Sequence, residues 1–439
     1  MTKLAGRAAP TILVLLILLG VARPSTAYSV LTHEQIVDLL WKDQIQPLLL
    51  QRFPEATEED LRKAHAYAYG GCVVQDMGYY PFGSKFFSDL VHYVRSGDFV
   101  VALIQESTDI NEYAFALGAL SHYSSDNSGH PTINRAVGVV FPKLRAKYGD
   151  QVTYADSPKA HIRTEFGFDL LQVAKNRYTS DSYHDFVGFE VARPLLERAF
   201  EKTYHMNLDE LLGHPDLAIG TFRRAVSQVI PEMTRVALLS HRLHLVKDTP
   251  NASERKFLYY LSRSQYEKEW GTIYRKPGFK TRILAFLLRL VPKIGPFKAL
   301  AFQIPTTQTE DMYVKSVDKT VENYASLLRE VGAGDLQLPN TDCDTGRPPR
   351  AGEYALSDKT YARLLKTLSD HGLDQLTPEL RKNILAFYAT SSAQSPTKKD
   401  RKAWIRTLKE LDELKAELPS AVPAPTSVSA ADSTGTGVR

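Results

Sequence analysis

The sequence has little cysteine: Cys72 and Cys343 are the only two in 439 residues, and they lie far apart. No disulfide framework can be built from them; at most one long-range bridge could form in an oxidising compartment. Charge of one sign is not in excess either. Lys and Arg number 54 against 50 Asp and Glu, and the net +4 is spread along the chain, which gives no strong case for nucleic acid. No fixed-period repeat is visible, and the alternation of half-buried strands is scarce. The apolar run near the N-terminus, Ile12 to Val21 (ILVLLILLGV), is short for a membrane span of about 20 residues.

What surrounds that run gives it a reading. Lys3 and Arg7 precede it, and Pro24-Ser25-Thr26-Ala27 follows with small residues where a signal peptidase cuts. This is the layout of a cleavable secretory signal. Residues 1–27 are therefore expected to be a signal peptide, the protein secreted or periplasmic, and Tyr28 the first mature residue.

Apolar spacing predicts helices over Glu34 to Leu50, Glu58 to Tyr69, Phe86 to Val94, Ile110 to Tyr123 and His161 to Val173. Further candidates are Ser182 to Tyr204, Gly220 to Val246 and Val314 to Glu330. Thr32 stands before a helix, and Thr57 has Asp60 three residues on, a capping pattern. The fold class is all-α. Gly, Asp, Asn and Pro cluster between Val331 and Arg350, which reads as a linker. It separates a main helical domain, 28–330, from a small helical C-terminal region, 351–418. Residues 419–439 are Pro, Ser, Thr and Ala with almost no large apolar side chain, and are expected to be disordered.

Twelve histidines against two cysteines mean that any metal is held through nitrogen and oxygen. The densest signal is His122-Tyr-Ser-Ser-Asp126-Asn-Ser-Gly-His130. At i,i+4 on a helix, His122 and Asp126 share a face and can reach one ion or two adjacent ones. Gly129-His130-Pro131 reads as a turn that swings His130 toward a second ion. His161 and Glu165 form another i,i+4 pair. A lone His-x3-Asp pair is usually accidental; two such pairs with a histidine between them point to a zinc site.

With these residues in place, Tyr28 to Glu165 resembles the zinc-dependent phospholipase C family, within the wider group that includes S1/P1-type nucleases. The ordered set is Tyr28, His33, Asp76, His92, His122 with Asp126, His130, and His161 with Glu165. FFSDLVHYVRSGDFV around His92 also looks like the phospholipase branch. The resemblance implies a helical bundle with a trinuclear zinc cleft. Asp76, His92, His122 and Asp126 would hold one Zn²⁺. Asp126 would bridge to a second, bound by His33 and the amine and carbonyl of Tyr28. His130, His161 and Glu165 would hold the third and leave room for water. Asp76 is the candidate for orienting or deprotonating the attacking water.

This chain departs from the familiar members by starting with Tyr28 where they carry Trp, a change that backbone ligation tolerates. The spacing of His33 is closer to the nuclease branch. Met77 stands where choline-preferring members have an aromatic residue, which removes one argument for that headgroup. Tyr79, Tyr80 and Phe82 are candidates for binding substrate, by cation–π attraction to a quaternary ammonium, although packing in a helix core explains each of them singly. The function implied is phospholipase C hydrolysis of glycerophospholipids. The alternatives are an S1/P1-like nuclease or 3'-nucleotidase, and a non-catalytic binding protein stabilised by zinc.

Residues 280–304 (KTRILAFLLRLVPKIGPFKALAFQI) are apolar and basic with no acidic residue. They suit an interfacial contact with a phospholipid membrane, against the alternative of core helices broken at Pro292 and Pro296. Among the other histidines, His65 reads as a core residue, and His241 with His244 lacks a third ligand.

Overall fold

A computed structural model describes residues 29–174, 188–231, 234, 303–372, 376–389 and 401–416. The signal segment, Tyr28, the tail 419–439, His241, His244 and all but the end of 280–304 lie outside the described residues.

The described chain is all-α. It contains no strand, only an isolated antiparallel bridge between Asp342 and Arg347. Helix α1 (Val30–Leu40) runs through a π-helical turn at Trp41–Ile45 into α2 (Gln46–Arg52). Then come α3 (Glu58–Gly71), a 3₁₀ turn (Val74–Tyr79), α4 (Lys85–Tyr93), α5 (Ser96–Glu106), α6 (Ile110–Val140), α7 (Pro142–Tyr148) and α8 (Pro158–Ala174). After the first break follow α9 (Arg193–Tyr204), α10 (Leu208–Leu212) and α11 (Pro215–Arg224); after the second, α12 (Thr307–Ala333), α13 (Ala355–His371), α14 (Pro378–Ala389) and α15 (Arg401–Ala416).

The organising element is α6, which packs against α3, α5, α8 and α12. Its start is fixed by Asp109, whose carboxylate accepts from the Asn111 and Glu112 amides at 2.8 and 2.9 Å, satisfying orphan donors of the first turn. Helix α3 begins with the capping box read from the sequence: Thr57 accepts from the Asp60 amide, and Asp60 from the Thr57 amide. Thr32 is not a cap. Helix α1 starts two residues earlier, and the cap comes from α8, where Asp169 accepts from the Leu31 amide at 3.1 Å and the Thr32 hydroxyl at 2.6 Å.

Glycines let α3 and α6 touch backbone to backbone. A Cβ built on Gly118 would stand 2.1 Å from the Ala68 carbonyl oxygen, and one on Gly71 would stand 2.0 Å from that of Phe115. Neither obstacle is a flexible side-chain end, so the helices would have to separate. Gly118→Ala is expected to cost about 3 kcal/mol through overpacking, outweighing the ~1 kcal/mol it gains in helix propensity. A urea midpoint that falls with an unchanged slope is the expected readout.

Two expectations change here. The Gly129-His130-Pro131 turn is instead part of α6, which continues through Pro131 to Val140. Proline forfeits one backbone bond, but the surrounding packing holds the helix, and His130 lies on the same face as Asp126, one turn on. Within the segment 331–350, read as a linker, the stretch Thr341, Asp342, Cys343 and Asp344 is buried. Ser96 donates to the Thr341 carbonyl at 2.6 Å and the Cys343 amide to the His92 carbonyl at 3.1 Å. Helix α13 then packs on α4, with the Arg363 guanidinium 4.1 Å from the Phe86 ring centre. Cys72 and Cys343 are both buried free thiols.

Candidate metal centre

Helix α6 presents His122, Asp126 and His130 as successive turns of one face. Helix α1 supplies His33, whose ring stacks on that of His122 with centroids 4.5 Å apart. The 3₁₀ turn supplies Asp76, α4 supplies His92, and α8 supplies His161 and Glu165. All eight side chains are at most 2% exposed. They fall into three groups of convergent ligand atoms: His33, His122 and Asp126; Asp76, His92 and His122; His130, His161 and Glu165.

The hydrogen bonds around the rings decide which nitrogens face inward. His92 Nδ1 lies 2.7 Å from the Ser88 carbonyl and His122 Nδ1 lies 2.9 Å from the Cys72 carbonyl. A carbonyl only accepts, so both Nδ1 atoms carry a proton, and in the neutral, metal-binding form of each ring Nε2 is the bare lone pair. Those bare atoms are 3.3 Å apart and point at the same Asp126 oxygen, at 3.3 and 3.2 Å. Asp76 Oδ1 is 3.6 Å from His92 Nε2, and Asp126 Oδ1 is 3.7 Å from His33 Nε2. Neither carboxylate accepts a hydrogen bond of good geometry. Buried acceptors grouped in this way are what a bound cation would satisfy. The spacings fit one: two ligand atoms about 2.0–2.1 Å from a tetrahedral Zn²⁺ lie about 3.3–3.4 Å apart.

The third group obeys the same logic. Asn134 Nδ2 donates to the Asp344 carbonyl at 3.1 Å, so it is the Asn134 oxygen that meets His161 Nε2 at 2.7 Å. Nε2 is then the protonated nitrogen, and the bare Nδ1 faces Glu165 Oε1 at 2.8 Å. Two lone pairs meet there unless a proton or cation lies between them. That contact is shorter than a zinc tetrahedron's edge, so this pair opens slightly when it takes an ion. His130 Nε2 completes the group, 3.8 Å from Asp126 Oδ2 and 3.3 Å from Asp344 Oδ1.

Burial and the neighbouring imidazole of His122 push the His33 pKa well below its ordinary value, and burial lowers that of His130 to about 4. Both rings are thus neutral ligands at pH 7. Burial, then the charges of Asp126, Glu165 and Asp344, raises the Asp76 carboxyl well above the carboxylate range. The raised pKa keeps a proton on Asp76 to higher pH than on an ordinary carboxyl, and a metal must compete with it. Zinc loading below that raised pKa is therefore expected to release a proton. Apparent affinity should rise with pH until the raised Asp76 pKa is passed, and fall on acidification. Calorimetric titration in two buffers of different ionisation enthalpy reads this; Asp76→Asn should reduce the difference between them.

Tyr28 lies outside the described residues. Of the aromatic candidates, Tyr79 is buried with its ring centre 6.2 Å from that of His92. Tyr80 is buried edge-on against Phe222, and Phe82 is 55% exposed. The structure therefore brings only Tyr79 beside the ligands. His65 is the core residue its setting suggested, 2.9 Å from Asp38 and stacked on Trp41. Asn134 and Asp344 escaped the sequence reading. The only signal for Asp344 was the local Asp-Cys-Asp-Thr-Gly run, a turn pattern of short acidic residues within an apparent linker.

Residues 32–210 match the family model of zinc dependent phospholipase C. No curated protein and no solved structure matches the chain.

Proposed function

We propose that this zinc-dependent phospholipase C-type chain is an exported hydrolase that cleaves glycerophospholipids to diacylglycerol and a phosphorylated headgroup. The observation that carries the reading is the inward convergence of imidazole nitrogens and carboxylate oxygens in three buried groups, two of which share His122 and adjoin at Asp126. The shared His122 supports two adjacent cation positions, an arrangement suited to in-line attack on a phosphodiester.

The residues divide the work. His92, His122 and Asp76 would hold one zinc ion; His33 and Asp126, with the backbone amine and carbonyl of a mature Tyr28, would hold a second; His130, His161 and Glu165 would hold a third. Bound zinc supplies Lewis acidity toward phosphoryl oxygens and makes water acidic enough to ionise near neutral pH. The Ser88 and Cys72 carbonyls lock the imidazoles of His92 and His122 in the ligating tautomer. Asp76, fully buried with both oxygens free of hydrogen bonds from the protein, orients the attacking water and accepts its proton at a carboxylate oxygen. Tyr79 stands beside His92 as an apolar wall for the substrate. The basic apolar stretch 280–304 brings the enzyme to the lipid surface.

The test offers the processed protein, loaded with zinc, phosphatidylcholine, phosphatidylethanolamine and single-stranded DNA. Release of diacylglycerol from lipid is the expected result. Cleavage of DNA without lipid hydrolysis moves the function to the nuclease branch, and zinc binding without either activity leaves a zinc-stabilised binding protein.

A further inference from the structure

We propose that Asp344 is a fourth protein ligand of the ion held by His130, His161 and Glu165, an inference that rests on the zinc reading above. Asp344 lies outside the residues that match the family model, on a turn between α12 and α13, and is fully buried. Asp342 shapes that turn: its Oδ1 accepts from the Asp344 and Thr345 amides at 3.0 and 3.2 Å, and its Oδ2 accepts from Ser357. The turn is pressed against α6. Gly346 has φ +67°, and a Cβ there would stand 2.8 Å from the Asn127 carbonyl oxygen, so this position requires glycine.

The two oxygens of Asp344 have different surroundings. Oδ2 accepts from the Tyr93 hydroxyl at 2.8 Å and from the Tyr354 hydroxyl. Oδ1 accepts no hydrogen bond and faces His130 Nε2 at 3.3 Å. That separation is the edge of a zinc tetrahedron. Two hydroxyls clamping one oxygen while the other is left bare is how a ligating carboxylate is held. Asn134 couples the site further, joining the Asp344 carbonyl to His161 Nε2 and so fixing both the turn and the ring that share the ion.

Four protein ligands close a zinc site, and closed sites are of the structural type. The third ion then clasps α6, α8 and the 341–346 turn together, and the reacting water belongs to the pair of sites adjoining at Asp126.

The test uses the full exported chain. Zinc per chain is measured after dialysis for the wild type, Asp344→Ala, Asp344→Asn and His161→Ala, and an anomalous map at the zinc edge is collected from wild-type crystals. Both Asp344 variants should bind one ion at least roughly 100-fold more weakly, the same ion that His161→Ala loses. The map should place that ion about 2.0–2.2 Å from an Asp344 oxygen. Should the variants fail to fold, the wild-type map decides alone. An ion bound by His130, His161 and Glu165 but more than about 3 Å from Asp344 overturns the inference and leaves the zinc reading intact. A wild type that binds no zinc overturns both.

Discussion

Replacement of Asp126 by asparagine is expected to cut phosphodiester hydrolysis by at least about 10³-fold and to remove more than one zinc ion. Asp126 is the point on which the groups converge: Oδ1 lies 3.7 Å from His33, and Oδ2 lies 3.3, 3.2 and 3.8 Å from His92, His122 and His130. Asparagine keeps the volume but substitutes an amide nitrogen for one oxygen, and a nitrogen bearing two protons is not a zinc ligand. It would instead donate a hydrogen bond to a bare imidazole and satisfy the apo cluster, making metal entry less favourable. Helix α6 should remain, because its cap at Asp109 and its glycine contact with α3 are untouched. The loss should therefore appear with an unchanged far-ultraviolet spectrum. A variant that keeps its full zinc content and activity within tenfold of wild type would remove Asp126 from the centre of the site.

How far the sequence could be read follows from which interactions are local. The pair His122 and Asp126 and the pair His161 and Glu165 were visible because helical periodicity alone sets them on one face. Asp76, His92 and His33 came only from resemblance, since nothing in their local spacing marks a ligand. The continuation of α6 through Pro131 was not visible. Gly-His-Pro is turn chemistry, and only packing from distant segments makes the helical form the stable one. Asp344 shows the same limit more sharply. Gly, Asp and Pro between 331 and 350 correctly signalled irregular backbone, but composition cannot tell a solvated connection from a loop folded back into the core. The Tyr93 and Tyr354 hydroxyls and the Asn134 amide make that distinction, and Tyr93 and Asn134 lie more than two hundred residues away. Tyr80 illustrates the converse: an aromatic residue close in sequence to a ligand, yet spent on Phe222.

Stripping the metal should do more than stop the reaction; it should lower the melting temperature by roughly 10 °C or more. Eight candidate ligand side chains, with Asp344 beside them, are buried in one region. Burying unpaired polar and charged groups is costly, and in the apo protein the oxygens of Asp76 and Asp126 accept no hydrogen bond that would offset it. A ligand that binds only the native state at a thousand times its dissociation constant adds about 4 kcal/mol, and a domain of this order shifts by about 2–4 °C per kcal/mol. Dialysis against a strong chelator, then melting followed by circular dichroism with and without added Zn²⁺, measures the effect. Zinc should restore both transition and activity, while Mg²⁺, which favours oxygen ligands in octahedral geometry, should restore neither. If the stripped protein melts at the holo temperature, the cluster is held by its own hydrogen bonds and the helices around α6 stand without the ions. The convergence of His92 and His122 on an Asp126 carboxylate that accepts no well-formed hydrogen bond argues the reverse: these helices meet at positions that a cation would stabilise.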